Sequence, residues 1–177
     1  GPQKATRRRR RLVIRSKTPG GGSPRGPVAT EEVTFRIVEA FEKQSDPARF
    51  VIDVSHIQGK DALGCDLISV RSQAVRDEAE SKGEIADSDI ERFIEVKGRS
   101  SRTGEVELTE NEYNAAEKRK ERYYLYRVFV DPKDPVSYEV AVLQNPIHSR
   151  AVRTVTRFDL SNESGAVWYG LEEVRDD

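Results

Sequence analysis

At 177 residues, with 36% hydrophobic and 34% charged side chains, the chain can build one modest core under a heavily charged surface, and it is too short and polar for two ordinary domains. The net charge is −1, but Gly1 to Pro27 holds nine basic residues and no acid; taking those nine from −1 leaves −10 on the rest, a surface that repels polyanions except at a basic tail, a basic groove or a metal. One cysteine and two histidines exclude an internal disulfide, a multi-cysteine zinc site and a His-rich metal centre.

No apolar run approaches the length of a membrane span and no signal-type segment follows the basic start, so a cytoplasmic setting is expected. Gly1-Pro2 reads as the scar of a cleaved tag, which implies a natural chain that extends further. Residues 1–29 combine the run Arg7, Arg8, Arg9, Arg10, Arg11 with a Pro/Gly/Ser stretch too poor in apolar groups to offset its ordering entropy. They are expected to form a flexible basic tail ahead of one domain over 30–177. The arginines either bind phosphates or solubilise a junction, and Leu12 to Ile14 could pair as an edge strand.

Thr30 is expected to cap a helix with Glu31 and Glu32 in its first turn and Val33, Ile37 and Phe41 along its apolar stripe, ended by Asp46-Pro47. Carboxylates such as Glu39 and Glu42 on such a helix are ordinarily solvated. Arg49 to Val54 and Cys65 to Ser72 read as strands one and two, with Gly64 allowing close backbone approach or an unusual dihedral. The charged stretch Gln73 to Asp89 reads as a long hairpin connection with a helical turn at most.

Glu91 to Arg99 (ERFIEVKGR) is the third strand, most simply antiparallel to the second, which brings Asp66 at the entrance of one beside Glu95 and Lys97 at the exit of the other. A carboxylate and an ammonium two residues apart share one face of a largely apolar strand. Either this is an ordinary pair on a wet face, or Asp66 and Glu95 offer hard oxygen ligands to a divalent cation while Lys97 stabilises developing charge. Thr109 and Glu112 then form a capping box for a second helix, with Tyr113 and Ala116 facing inward. Tyr123 to Val130 (YYLYRVFV) is the clearest strand, Val136 to Leu143 the next, and Val167-Trp168-Tyr169 a possible edge strand. His56 and His148 are isolated and read as surface or packing residues.

The order αβββαβ, with an Asp opening strand two and Glu-x-Lys on strand three, resembles the PD-(D/E)xK superfamily, the restriction-endonuclease-like α/β (α+β) fold with a mixed central sheet flanked by helices. The fuller run GCDLISV, RFIEVKG, VELTENEYNAAE and YYLYRVFV is similar to the C-terminal domain named after the plant protein NO VEIN, over roughly Glu32 to Pro146. The resemblance implies a Mg²⁺-dependent DNA endonuclease domain, with Mn²⁺ able to substitute, inside a larger restriction or anti-phage defence protein. A helicase or other defence-system domain would act beside it, in cis or trans, and a homodimer would suit double-strand cutting.

It also implies Asp66 and Glu95 as metal ligands, Lys97 as the residue that positions the attacking water, and Glu42 as the first-helix acid completing or buttressing the site. Asn111 and Glu112 would touch DNA or support the site, and Arg99, Arg102 and the arginine run would bind nucleic acid. The chain has Cys65 where the family often has Tyr and Tyr113 where it often has Trp; neither is a ligand. Two other readings are a non-cleaving DNA or modified-DNA binding module of the same fold, and a protein-interaction domain whose arginine tail binds an acidic partner.

Overall fold

The structure, a computed structural model, describes residues 10–14, 28–99, 106–131 and 133–149, without the side chains of 28–30, 99, 135 and 136. Its elements are β1 (Arg11–Val13), α1 (Val28–Gln44), β2 (Phe50–Asp53), β3 (Leu67–Val70), α2 (Gln73–Lys82), β4 (Glu84–Ala86), β5 (Ile90–Arg99), α3 (Glu110–Arg119), β6 (Tyr123–Asp131) and β7 (Asp134–Gln144). Five strands form one mixed sheet in the order β2-β3-β5-β6-β7. Only β5 and β6 run parallel, because α3 supplies the crossover such a pair requires; the other neighbours are antiparallel. A mixed sheet flanked by helices is the fold class expected from the sequence. Among the described residues no helix is long and apolar enough to cross a membrane.

The period of two sorts the sheet into two cores. On one face α1 lays Ile37 and Val38 against Leu67, Ile94, Val96, Tyr126 and Val128. On the other, α2 and α3 contribute Ala79 and Ala116 to a cluster with Ile68, Val70, Phe93 and Tyr123. The register of α1 differs from the expected stripe. Thr34, Val38 and Glu42 face the sheet while Val33 is 42% exposed. Two of the inward positions are thus polar, and each is satisfied: Thr34 donates to the Glu31 carbonyl at 2.8 Å, and Glu42 finds its partners on other elements. Tyr113, expected to face inward, is 46% exposed; Ala116 is buried as expected.

Two stretches differ more. The expected hairpin connection at 73–89 is α2 followed by β4. Ser72 caps α2 by accepting the Val75 N–H, and Gly83 ends it at φ 66°, a left-handed conformation that glycine adopts without strain. Residues 1–29, expected to be a tail, contain β1 at the segment that could pair as an edge strand; it pairs antiparallel with β4 and buries Leu12 and Ile14 in the second core.

Asp87, just past β4, fastens this corner. Its carboxylate accepts from Arg119 and from Arg122 Nη1 (3.0 Å), while Arg122 Nη2 also reaches the Asp87 and Ile90 carbonyls at 2.7 and 3.0 Å. Burial works against the charge, but the Arg122 hydrogen bond and the Arg119 and Arg122 charges hold Asp87 below the usual carboxylate range. A depressed carboxylate stabilises the fold above its unfolded pKa and ceases to as pH falls through the folded value. Asp87→Asn should therefore cost about 1–2 kcal/mol in urea unfolding at pH 7, and the difference from wild type should close in acid, as pH falls through the depressed pKa of Asp87.

Candidate functional site

β3 and β5 pair Leu67 with Ile94 and Ile68 with Phe93, so continuing the register by one residue sets Asp66 opposite Glu95. Asp66 and Glu95 stand on the face that carries Ile68 and Phe93, as does Lys97. Asp66 Oδ2 accepts the Val96 N–H at 2.9 Å, which ties the carboxylate to the neighbouring strand. Lys97 Nζ lies 3.0 Å from Glu95 Oε1 and 3.2 Å from Glu112 Oε2. The same Glu112 oxygen accepts the Thr109 N–H at 2.8 Å and Thr109 Oγ1 accepts the Glu112 N–H at 3.3 Å, so the capping box that starts α3 also holds the lysine.

The approach to Asp66 depends on Gly64. Its φ is +67°, and a Cβ there would fall 2.5 Å from Ala115 Cβ and 2.6 Å from the Asn111 carbonyl oxygen. Only glycine lets the chain pass beneath the first turn of α3. The buried Tyr123 hydroxyl fixes the turn by donating to the Gly64 carbonyl at 2.7 Å.

The cluster is electrostatically crowded. Glu95 is 3% exposed, and burial together with the Asp66 charge pushes its pKa up to about 9. Burial also raises Asp66, to about 6, with Glu112 and Glu31 adding to the rise and the Val96 N–H and Lys97 opposing it. Burial would strip the proton from Lys97, but Glu95 and Glu112 outweigh it and hold the ammonium above its usual pKa.

A raised carboxylate pKa costs stability as pH rises from the unfolded toward the folded value. In EDTA, Glu95→Gln should therefore be more stable than wild type at pH 8, by at least about 1–2 kcal/mol: a tenfold change in a protonation equilibrium corresponds to about 1.4 kcal/mol, and the loss of a Lys97 contact subtracts from the gain. The advantage should vanish near pH 4–5. Melting curves across pH 4–9 test this; a Glu95→Gln deficit that is constant with pH would mean Glu95 is comfortably ionised beside Lys97.

Asp66, Glu95 and Lys97 are thus brought together, and Glu112 joins them. Glu42 is not. It sits on the opposite face of the sheet, fully buried, bound by Arg49 Nε at 2.6 Å and Nη2 at 3.1 Å and by the Tyr126 hydroxyl. The reason is geometric: α1 covers the Ile94–Val96 face, whereas Glu95 and Lys97 project from the other. The acid of α1 that is felt at the site is Glu31, to which the sequence assigns only a place in the helix dipole. The available signal was Gly98, directly after Lys97: a Cβ there would fall 2.6 Å from Thr34 Cγ2, so the glycine admits the first turns of α1 to the end of β5.

Asn111 is exposed on the first turn of α3. Arg10 is exposed, whereas Arg11 is paired with Glu84 at 2.7 Å. Arg7, Arg8, Arg9, Arg102 and the Arg99 side chain lie outside the described residues, as does the Val167–Tyr169 stretch. His148 is exposed and His56 Nδ1 lies 4.0 Å from Asp53 Oδ1. Among the described residues no three His, Cys, Asp or Glu side chains are grouped to hold a metal ion; the donor set at the cluster is the Asp66–Glu95 pair.

The profile of a family described as "Protein NO VEIN, C-terminal" matches residues 30–141, from α1 into β7, and includes every residue of the cluster. No curated protein and no solved structure matches the chain.

Proposed function

The chain belongs to the family described as Protein NO VEIN, C-terminal, and from that premise and the Asp66–Glu95–Lys97 cluster we propose that the domain is a divalent-cation-dependent DNA endonuclease. It would act within a larger restriction or anti-phage defence protein, in the cytoplasm, supplied with DNA by a helicase or other defence-system partner. The observation that supports this most is the convergence of two carboxylates and one ammonium, from β3 and β5, on one face of the sheet.

Two crowded carboxylates whose pKa values are both raised suit a hard divalent cation, which would relieve their repulsion. Mg²⁺ or Mn²⁺ held by Asp66 and Glu95 would supply Lewis acidity toward the scissile phosphate and lower the pKa of a water. The chain's own residues do the rest. Lys97 places a fixed positive charge where the pentavalent phosphorus accumulates negative charge. Glu112 keeps that ammonium in place, and the Val96 N–H orients Asp66. The concentration of acid repels DNA until it is neutralised, so cation and DNA affinity should rise together.

Incubation of plasmid and phage DNA with the protein in Mg²⁺, Mn²⁺ or EDTA tests the reading. Nicking or linearisation in either cation and none in EDTA is expected. Inertness in both cations, together with no calorimetric heat of Mn²⁺ binding, would reject it.

A further inference from the structure

We propose that the exposed face of α3 bearing Asn111, Asn114 and Lys118, extended by Arg10 of the N-terminal arm, is a track for a nucleic-acid phosphate backbone leading to the Asp66–Glu95–Lys97 cluster. The proposal rests on the nuclease reading and gives that site its approach surface.

Residues spaced i, i+3 and i+7 share one side of a helix, so Asn111, Asn114 and Lys118 form a row, and all three are exposed. The row starts at the site, because the Asn111 carbonyl lies against Gly64, two residues before Asp66. It runs about 10 Å along the helix, the axial rise of about three successive phosphates of one strand. Asparagine amides and a lysine ammonium are donors suited to phosphate oxygens. Glu110 and Glu117 fall on the next side of the helix and bound the row there.

Arg10 is brought to the far end of this row by backbone pairing. The Asp87 N–H donates to the Arg10 carbonyl at 2.8 Å, and the Asp87 carboxylate accepts from Arg119, the neighbour of Lys118. One residue thus anchors both the arm and the end of α3. The two exposed cations lie close enough that Arg10, more than burial or Arg119, holds Lys118 below its usual pKa. Like charges set side by side on a chain whose residues 28–177 carry −10 mark where a polyanion meets least resistance. The family match begins at residue 30, so β1 and Arg10 lie outside the matched residues.

The test is binding, not cutting. The anisotropy of a labelled 20-base-pair duplex of random sequence is followed across a salt series in Ca²⁺, for the wild type, for Arg10→Ala/Lys118→Ala, and for a remote pair on α1, across the sheet from α3, Arg36→Ala/Lys43→Ala. The first double variant should bind about tenfold or more weakly at low salt and flatten the log–log salt slope by about 2, near 0.9 per lost phosphate contact. The remote pair should do neither. Equal slopes for both double variants, or absence of binding by the wild type, would overturn the track. So would displacement of the duplex by polyglutamate at equal charge concentration, which would assign the row to an acidic peptide. A track-dependent slope in a protein that neither cuts DNA nor gives a calorimetric heat of Mn²⁺ binding would retain the track and reject the nuclease; cutting with an unchanged slope would do the reverse.

Discussion

Lys97→Ala and Asp66→Ala should each lower cation-dependent DNA cleavage by at least about 10²-fold, the size of effect seen when one preorganised charge or donor facing a developing anion is removed. The two losses have different origins and can be told apart. Asp66→Ala removes half of the carboxylate pair and should abolish the calorimetric heat of Mn²⁺ binding. Lys97→Ala leaves both carboxylates and should keep that heat while the rate falls. The double variant should be little worse than the poorer single one, because residues that act as a unit are not additive.

Glu112→Gln provides the internal control for fold. Glutamine serves in a capping box as well as glutamate does, so α3 keeps its start while Lys97 loses one of its two anionic partners. Circular dichroism should match wild type, with a smaller loss of rate than for Lys97→Ala. A Lys97→Ala protein that cuts DNA at the wild-type rate would end the catalytic role of the cluster, whatever its metal binding.

What the sequence made legible follows from how each element is stabilised. β5 and β6 lie in a sheet covered on both faces, and the apolar run of β5 and the aromatic and β-branched content of β6 record that directly; β3 against β5 followed from simple antiparallel pairing, and with it the meeting of Asp66 and Glu95. The capping box of α3 was legible because both partners lie within four residues. α2 was not, since Ala79 is its only buried residue; its evidence lay in the Ser72 and Gly83 caps rather than in any apolar stripe. β1 was only half legible: Leu12 to Ile14 could be read as an edge strand, but two apolar residues in a basic, Pro/Gly-rich context gave no hint of a partner, and Ile85, opposite Leu12, is more than seventy positions away in sequence. That the charge of Glu31 on α1 reaches Asp66 was missed for a related reason. A helix crossing a sheet touches it along its whole length, and sequence shows which residues share a stripe but not which end of the stripe lies over which strand.

Glu42 carries the second large expectation. Removing it as Glu42→Ala should destabilise the fold by about 3–5 kcal/mol, the usual cost of breaking a buried ion pair from one side, and a large part of the roughly 5–15 kcal/mol that holds such a domain together. Arg49, 9% exposed, would lose both bonds of its bidentate contact, and the hydrogen bond to Glu42 is the main influence raising its pKa. The Tyr126 hydroxyl would lose its acceptor, and the Arg92 guanidinium, stacked 4.1 Å from the Tyr124 ring centre, would lose a carboxylate 3.8 Å away.

These groups come from α1, β5, β6 and the start of β2, so the damage is to the joint between the helix and three strands. It is not damage to the cluster, which projects from the other side of the sheet. Glu42→Gln, which keeps the shape and one acceptor, should therefore shift the urea midpoint while Mn²⁺ affinity and the cleavage rate per folded molecule stay within about twofold of wild type. The twofold window is well under the tenfold that about 1.4 kcal/mol would bring. Loss of Mn²⁺ binding in Glu42→Gln, under conditions where circular dichroism shows it folded, would mean that this carboxylate does act with Asp66 and Glu95. The sheet would then have to be arranged differently from the two-faced packing described above.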